Sequence, residues 1–69
     1  MRMSARNQLK GTVKTVVTGA VNCEVVIELP GGLQIVSIIT KSSCESLGLK
    51  TGSPAYAIIK ASSVMIGVD

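Results

Sequence analysis

From Leu9 to Val17, apolar or small residues alternate with polar ones: Leu9, Gly11 and Val13 against Lys10, Thr12 and Lys14. A period of two predicts a half-buried strand, because successive side chains point to opposite faces. Thr18-Gly19-Ala20 then supplies turn chemistry. The next run is the clearest in the chain. Val21, Cys23, Val25, Ile27 and Leu29 face one way, and Asn22, Glu24, Val26 and Glu28 the other. Pro30-Gly31-Gly32 breaks it, and a third run spans Leu33 to Thr40. This spacing predicts a meander of three antiparallel strands. The third strand is apolar on both faces, with Ile35 and Ile39 on one and Val36 and Ile38 on the other. Such a strand in a small barrel needs cover on its outer side.

A short helix is expected next. Ser42-Ser43-Cys44-Glu45 fits a capping box, with Ser42 as N-cap and Glu45 reaching back to the exposed N–H. Leu47 would pack inward, Gly48 would end the helix in the left-handed conformation, and Leu49 would supply the hydrophobic contact that follows. Lys50 to Pro54 reads as a turn, Ala55 to Lys60 as a fourth strand, Ala61-Ser62-Ser63 as a tight bend, and Val64 to Val68 as a fifth strand. The expected fold is all-β: an OB-like five-stranded barrel with one short helix between strands three and four. One domain would occupy residues 1–69.

Composition changes this picture in one respect. The chain has 69 residues, 46% of them hydrophobic, with one Tyr and no Phe or Trp; its mean hydropathy is +0.50. A domain of about 60 residues buries only about 60% of the surface its unfolded chain exposes. Much of the apolar material must then be exposed or covered by another molecule. The longest uninterrupted apolar run, Ala55 to Ile59, is far short of the roughly 18 residues of a membrane span. The first residues contain no apolar stretch of the kind a signal peptide needs. With no His, neither a His-based triad nor a His-ligated metal site can be built. Cys23 and Cys44 lack zinc or redox spacing and read as two reduced thiols. No nucleophile–base pair is available, so no enzyme is expected.

Seven Lys/Arg against four Asp/Glu leave a net charge of +3. A positive surplus suits an anionic partner, although its dispersal along the chain weakens polyanion readings. Two polar clusters stand out: Ser4-Ala5-Arg6-Asn7-Gln8 before strand one, and Lys60-Ala61-Ser62-Ser63 after strand four. Each joins a cation to hydroxyl and backbone donors, which is what a tetrahedral oxyanion requires. The same residues also fit plain solvated turns. Ser42 and Ser43 fit helix capping as well as ligand contact. Gly31-Gly32 belongs to a hairpin and not to a phosphate loop, and Glu24, Glu28, Lys10 and Lys14 fit a solvated strand face.

Ser4-Ala5-Arg6-Asn7-Gln8-Leu9-Lys10-Gly11 together with Ala55 to Met65 resembles the molbindins, small cytoplasmic molybdate-binding proteins also called Mop proteins. The same unit is similar to the TOBE domains of molybdate-responsive regulators and of molybdate transporter ATPases, and Leu47 to Gly52 matches the linking segment. The resemblance covers essentially the whole chain. It implies an OB-like barrel, assembly as a hexamer (a trimer of dimers), and reversible binding of molybdate or tungstate at subunit interfaces for intracellular storage. Carried over by position, Ser4, the Ala5 backbone and Arg6 of one subunit would meet Lys60 and Ser62, with Thr40 and Ser43 as further hydroxyl contacts. The anion keeps its own oxygens, so no protein atom would ligate the metal directly, and no cofactor is implied. Two other readings stay open. An OB-type nucleic-acid-binding module fits the charge and barrel, but only Tyr56 could stack on a base. An assembly module without working oxyanion sites fits the apolar excess.

Overall fold

The alternating runs form strands because one face of each can be buried against the others. In a computed structural model describing all 69 residues, β1 spans Asn7–Thr18, β2 Asn22–Glu28, β3 Gln34–Thr40 and β4 Pro54–Ile59. A seven-residue helix, α1 (Lys41–Leu47), joins β3 to β4. The strands form one antiparallel sheet in the order β3-β2-β1-β4. The expected meander is therefore present, and β4 returns to the far side of β1. No helix is long and apolar enough to cross a membrane.

The long strand β1 serves two neighbours in succession. Asn7 to Thr12 pair with β4, and Thr12 to Thr18 pair with β2, with a register irregularity between Val13 and Thr15. This handover curls the sheet into a half-barrel. Gly11 sits at the handover, where a Cβ would lie 2.5 Å from the Glu28 carbonyl oxygen and 2.7 Å from Ile27 Cγ2. Only glycine lets the strands approach this closely. The core is the concave face: Val13, Cys23, Val25, Ile27, Cys44 and Ala57 are buried, flanked by Val16, Leu29, Ile35, Ile39, Leu49 and Ala55. Cys23, Val25 and Ile27 lie on the face that the alternation of β2 selects.

Three expectations are corrected. The helix starts two residues earlier than its capping box suggests, with Thr40 and not Ser42 as N-cap. Thr40 Oγ1 accepts a hydrogen bond from the Ser43 N–H at 3.1 Å, while the Lys41 N–H is held by the Val21 carbonyl at 2.7 Å. The last residue of β3 thus becomes the cap, and the chain passes from strand to helix without a linker. The far end is as expected: Gly48 has φ 62° and closes the helix onto the Cys44 and Glu45 carbonyls.

Leu47 does not pack inward; it is 68% exposed. It sits at the rim of an apolar groove with Leu49, Tyr56 and Ile58, and a single chain has nothing to cover that groove. Nor is there a fifth strand. After β4 a single 3₁₀ turn, Ala61–Ser63, leads into Val64–Val68, which join no ladder. Met65, Ile66 and Val68 are 92%, 88% and 93% exposed. The turn does not return the segment along β4, so its apolar alternation has no partner strand within the chain. The barrel stays open between the edge strands β3 and β4.

Candidate functional site

The β1–β4 ladder brings the two polar clusters together. Its last pairs are Gln8↔Ile58 and Asn7↔Ile59. Continued outward, that register sets Arg6 opposite Lys60 and Ser4 opposite Ser62. An open cleft of about 500 Å³ at this end of the sheet is lined by Ser4, Ala5, Arg6, Ile58, Lys60, Ala61 and Ser62. Residues some fifty positions apart in sequence face one space because the strands that carry them are neighbours.

The electrostatics of the cleft are one-sided. Arg6 and Lys60 line it, and no carboxylate does. The single ion pair of the chain, Lys14 with Glu28 at 3.4 Å, lies elsewhere and is exposed. Both cleft cations are therefore free for an external anion. Arg6 offers a planar fork of donors and Lys60 a compact charge. Ser4 and Ser62 add hydroxyls. The 3₁₀ turn has no side-chain cap, so its leading N–H groups are not taken by the protein's own side chains. No aromatic ring lines the cleft.

Thr40 and Ser43 stand apart from this group. They lie at the start of α1 and bond to each other, Thr40 Oγ1 donating to Ser43 Oγ at 2.7 Å. Ser43 borders a separate depression with Ser42, Ser46 and Leu47. Within one chain the structure does not bring them to the cleft.

Three residues here had no role of their own in the sequence reading: Ile58 stood only within the fourth strand, and Asn7 and Gln8 only as members of the first polar cluster. Ile58 forms the cleft's apolar wall. The side chains of Asn7 and Gln8 each hold a carbonyl beside it, at Ile59 and Ala5 respectively. The ladder register could have pointed to Ile58; the two amide bonds depend on side-chain conformation and leave no pattern in the sequence.

Nothing in the chain assembles a reaction centre. Cys23 and Cys44 are free and buried. Burial, then the neighbouring Cys23 thiol and Glu45, push the Cys44 thiol above its ordinary value of 9.0, which makes it a poor nucleophile. No group of three His, Cys, Asp or Glu comes together to hold a metal ion.

Residues 3–66 match the TOBE domain family. The chain is 48% identical over 69 residues to a probable molybdenum-pterin-binding protein of Haemophilus influenzae, covering 100% of both. Its fold matches MopII from Clostridium pasteurianum with a TM-score of 0.92 at 48% identity, covering 97% of this chain and 100% of that one. It also matches the cytoplasmic molybdate-binding protein ModG, in a form with molybdate bound, with a TM-score of 0.95 at 56% identity. That match covers 100% of this chain and 49% of the ModG chain, and a cooperative binding mechanism has been suggested for ModG.

Proposed function

This chain belongs to the TOBE domain family, among the small molybdenum-pterin-binding (Mop) proteins, and on that premise we propose that it binds molybdate reversibly, without catalysis, in the cleft between β1 and β4. One observation carries the reading: Ser4, Ala5, Arg6, Lys60 and Ser62 line a single cleft with two unpaired cations and no carboxylate. Two cations match the charge of a tetrahedral dianion, and hydrogen bonds to a charged acceptor contribute about 1.5–3 kcal/mol each. The lining favours a bare oxyanion over a pterin, since it has no ring on which a pterin could stack. Tungstate has the same shape and charge and would bind alike. Sulfate is smaller, so the donors would close on it less well.

The cleft is open and wider than one oxyanion, and water in it would weaken each contact. A second copy of the chain would close it. Exposed Val36, Ile38 and the Val64–Val68 segment supply apolar surface for such an assembly. We infer a homo-oligomer with the sites at its seams, a hexamer built as a trimer of dimers. A neighbouring copy would then bring Thr40 and Ser43 to the anion. The role is intracellular storage or buffering of the oxyanion in the cytoplasm.

Calorimetric titration tests the site. Molybdate and tungstate should bind and sulfate should give little heat. Arg6→Ala and Lys60→Ala should each weaken molybdate binding by at least about tenfold, the loss of one charge-assisted bond. Unchanged affinity in both variants would remove the assignment, and equal binding of sulfate would remove the selectivity.

A further inference from the structure

We propose that the side-chain amides of Asn7 and Gln8 are positioning groups for the cleft, each locking the peptide unit that carries one of its two cations. The inference rests on the oxyanion reading above.

The two residues are adjacent on β1 and project to opposite faces of the strand. Asn7 Nδ2 donates to the Ile59 carbonyl at 3.2 Å, a partly buried bond between residues 52 positions apart. Gln8 Nε2 donates to the Ala5 carbonyl at 2.7 Å. A carbonyl shares a rigid plane with the N–H of the next residue. The Ile59 carbonyl therefore sets the plane of the Lys60 N–H, and the Ala5 carbonyl that of the Arg6 N–H. Neither Asn7 nor Gln8 lines the cleft, so both act through the backbone and not on the ligand.

Their place in the fold explains the need. The β1–β4 ladder ends at Asn7↔Ile59. Beyond that pair no ladder bond holds Ser4–Arg6 against Lys60–Ser62. The two amides take over where the ladder stops, one tying the strand ends together and the other folding the approach to β1 back on itself. Donors fixed before the ligand arrives bind it without the ordering cost that mobile ones incur.

Double-mutant cycles on the whole protein, read by calorimetric titration with molybdate, test this directly. Gln8→Leu is paired with Arg6→Ala, and Asn7→Leu with Lys60→Ala. Alone, each Leu variant should weaken binding about fivefold, the factor for one ordinary hydrogen bond. In the background lacking the matching cation, the same change should weaken it by a smaller factor, because only the backbone N–H of that peptide unit is then left to aim. The full factor persisting in both backgrounds, or no loss in Gln8→Leu alone, overturns the proposal. Gln8 is exposed, so its variant carries the test if Asn7→Leu does not fold. Backbone ¹⁵N relaxation of the ligand-free protein separates this inference from the reading it rests on. The Arg6 amide should gain nanosecond motion in Gln8→Leu, and unchanged order there overturns the clamp. A wild-type protein that takes up no molybdate, yet loosens at Arg6 in Gln8→Leu, keeps the backbone clamp and loses the oxyanion reading.

Discussion

Gly11 shows how a single residue governs the curl of the sheet. It lies where β1 passes from β4 to β2, against the Glu28 carbonyl and the Ile27 side chain. Gly11→Ala would place a methyl group 2.5 Å from a backbone oxygen, so the strands must separate. We expect a loss of about 2 kcal/mol in denaturant unfolding, typical of overpacking; unaltered stability would show that the strands have room to spare. In the sequence Gly11 is simply one small residue in an alternating run. The reason for it becomes visible only when two strands meet there. Arg6 and Lys60 stood out in the sequence as the cations of two polar clusters, and the resemblance to the molbindins set them at one anion; the β1–β4 pairing supplies the physical reason that they meet. The hydrogen bonds of Asn7 and Gln8 were not legible, since a side chain's conformation is not written in residue type.

At the scale of elements, α1 is the part most exposed to small errors of reading. It has seven residues and one buried side chain, Cys44, so its termini contribute much of its stability. Thr40→Ala removes the acceptor for the Ser43 N–H and the hydroxyl bonded to Ser43 Oγ. It should lower unfolding stability by about 1 kcal/mol; no change in the denaturation midpoint would mean that water or Ser42 replaces the cap fully. The helix itself, its position between strands three and four and its Gly48 stop were all legible. Its start was not, because Ser42 and Thr40 are both good caps. The choice between them is made by Val21, in the turn between β1 and β2, whose carbonyl holds the Lys41 N–H at 2.7 Å. Strands β1 to β4 were legible to within two residues from their alternation and turn residues. The fifth was not formed, because alternation measures fitness for a sheet and not the presence of a partner.

For the molecule as a whole, the hydrophobic content of 46% is reconciled with a core of only six buried residues by what lies outside it. Val36 and Ile38 on the outer face of β3 are 59% and 62% exposed, as the two-faced character of that strand implied. The Val64–Val68 segment and the groove beside Leu47 add to the same surplus. Surface of this kind marks an interaction site. Assembly would cover it and would close the cleft over its anion, so oligomer and site stand or fall together. Anomalous diffraction at the molybdenum edge, from crystals grown with molybdate, tests both at once. A molybdenum peak is expected in the cleft between Arg6 and Lys60, walled on its open side by a second copy of the chain. A peak elsewhere with this cleft empty, or one in a cleft facing only solvent, would contradict the oxyanion seam.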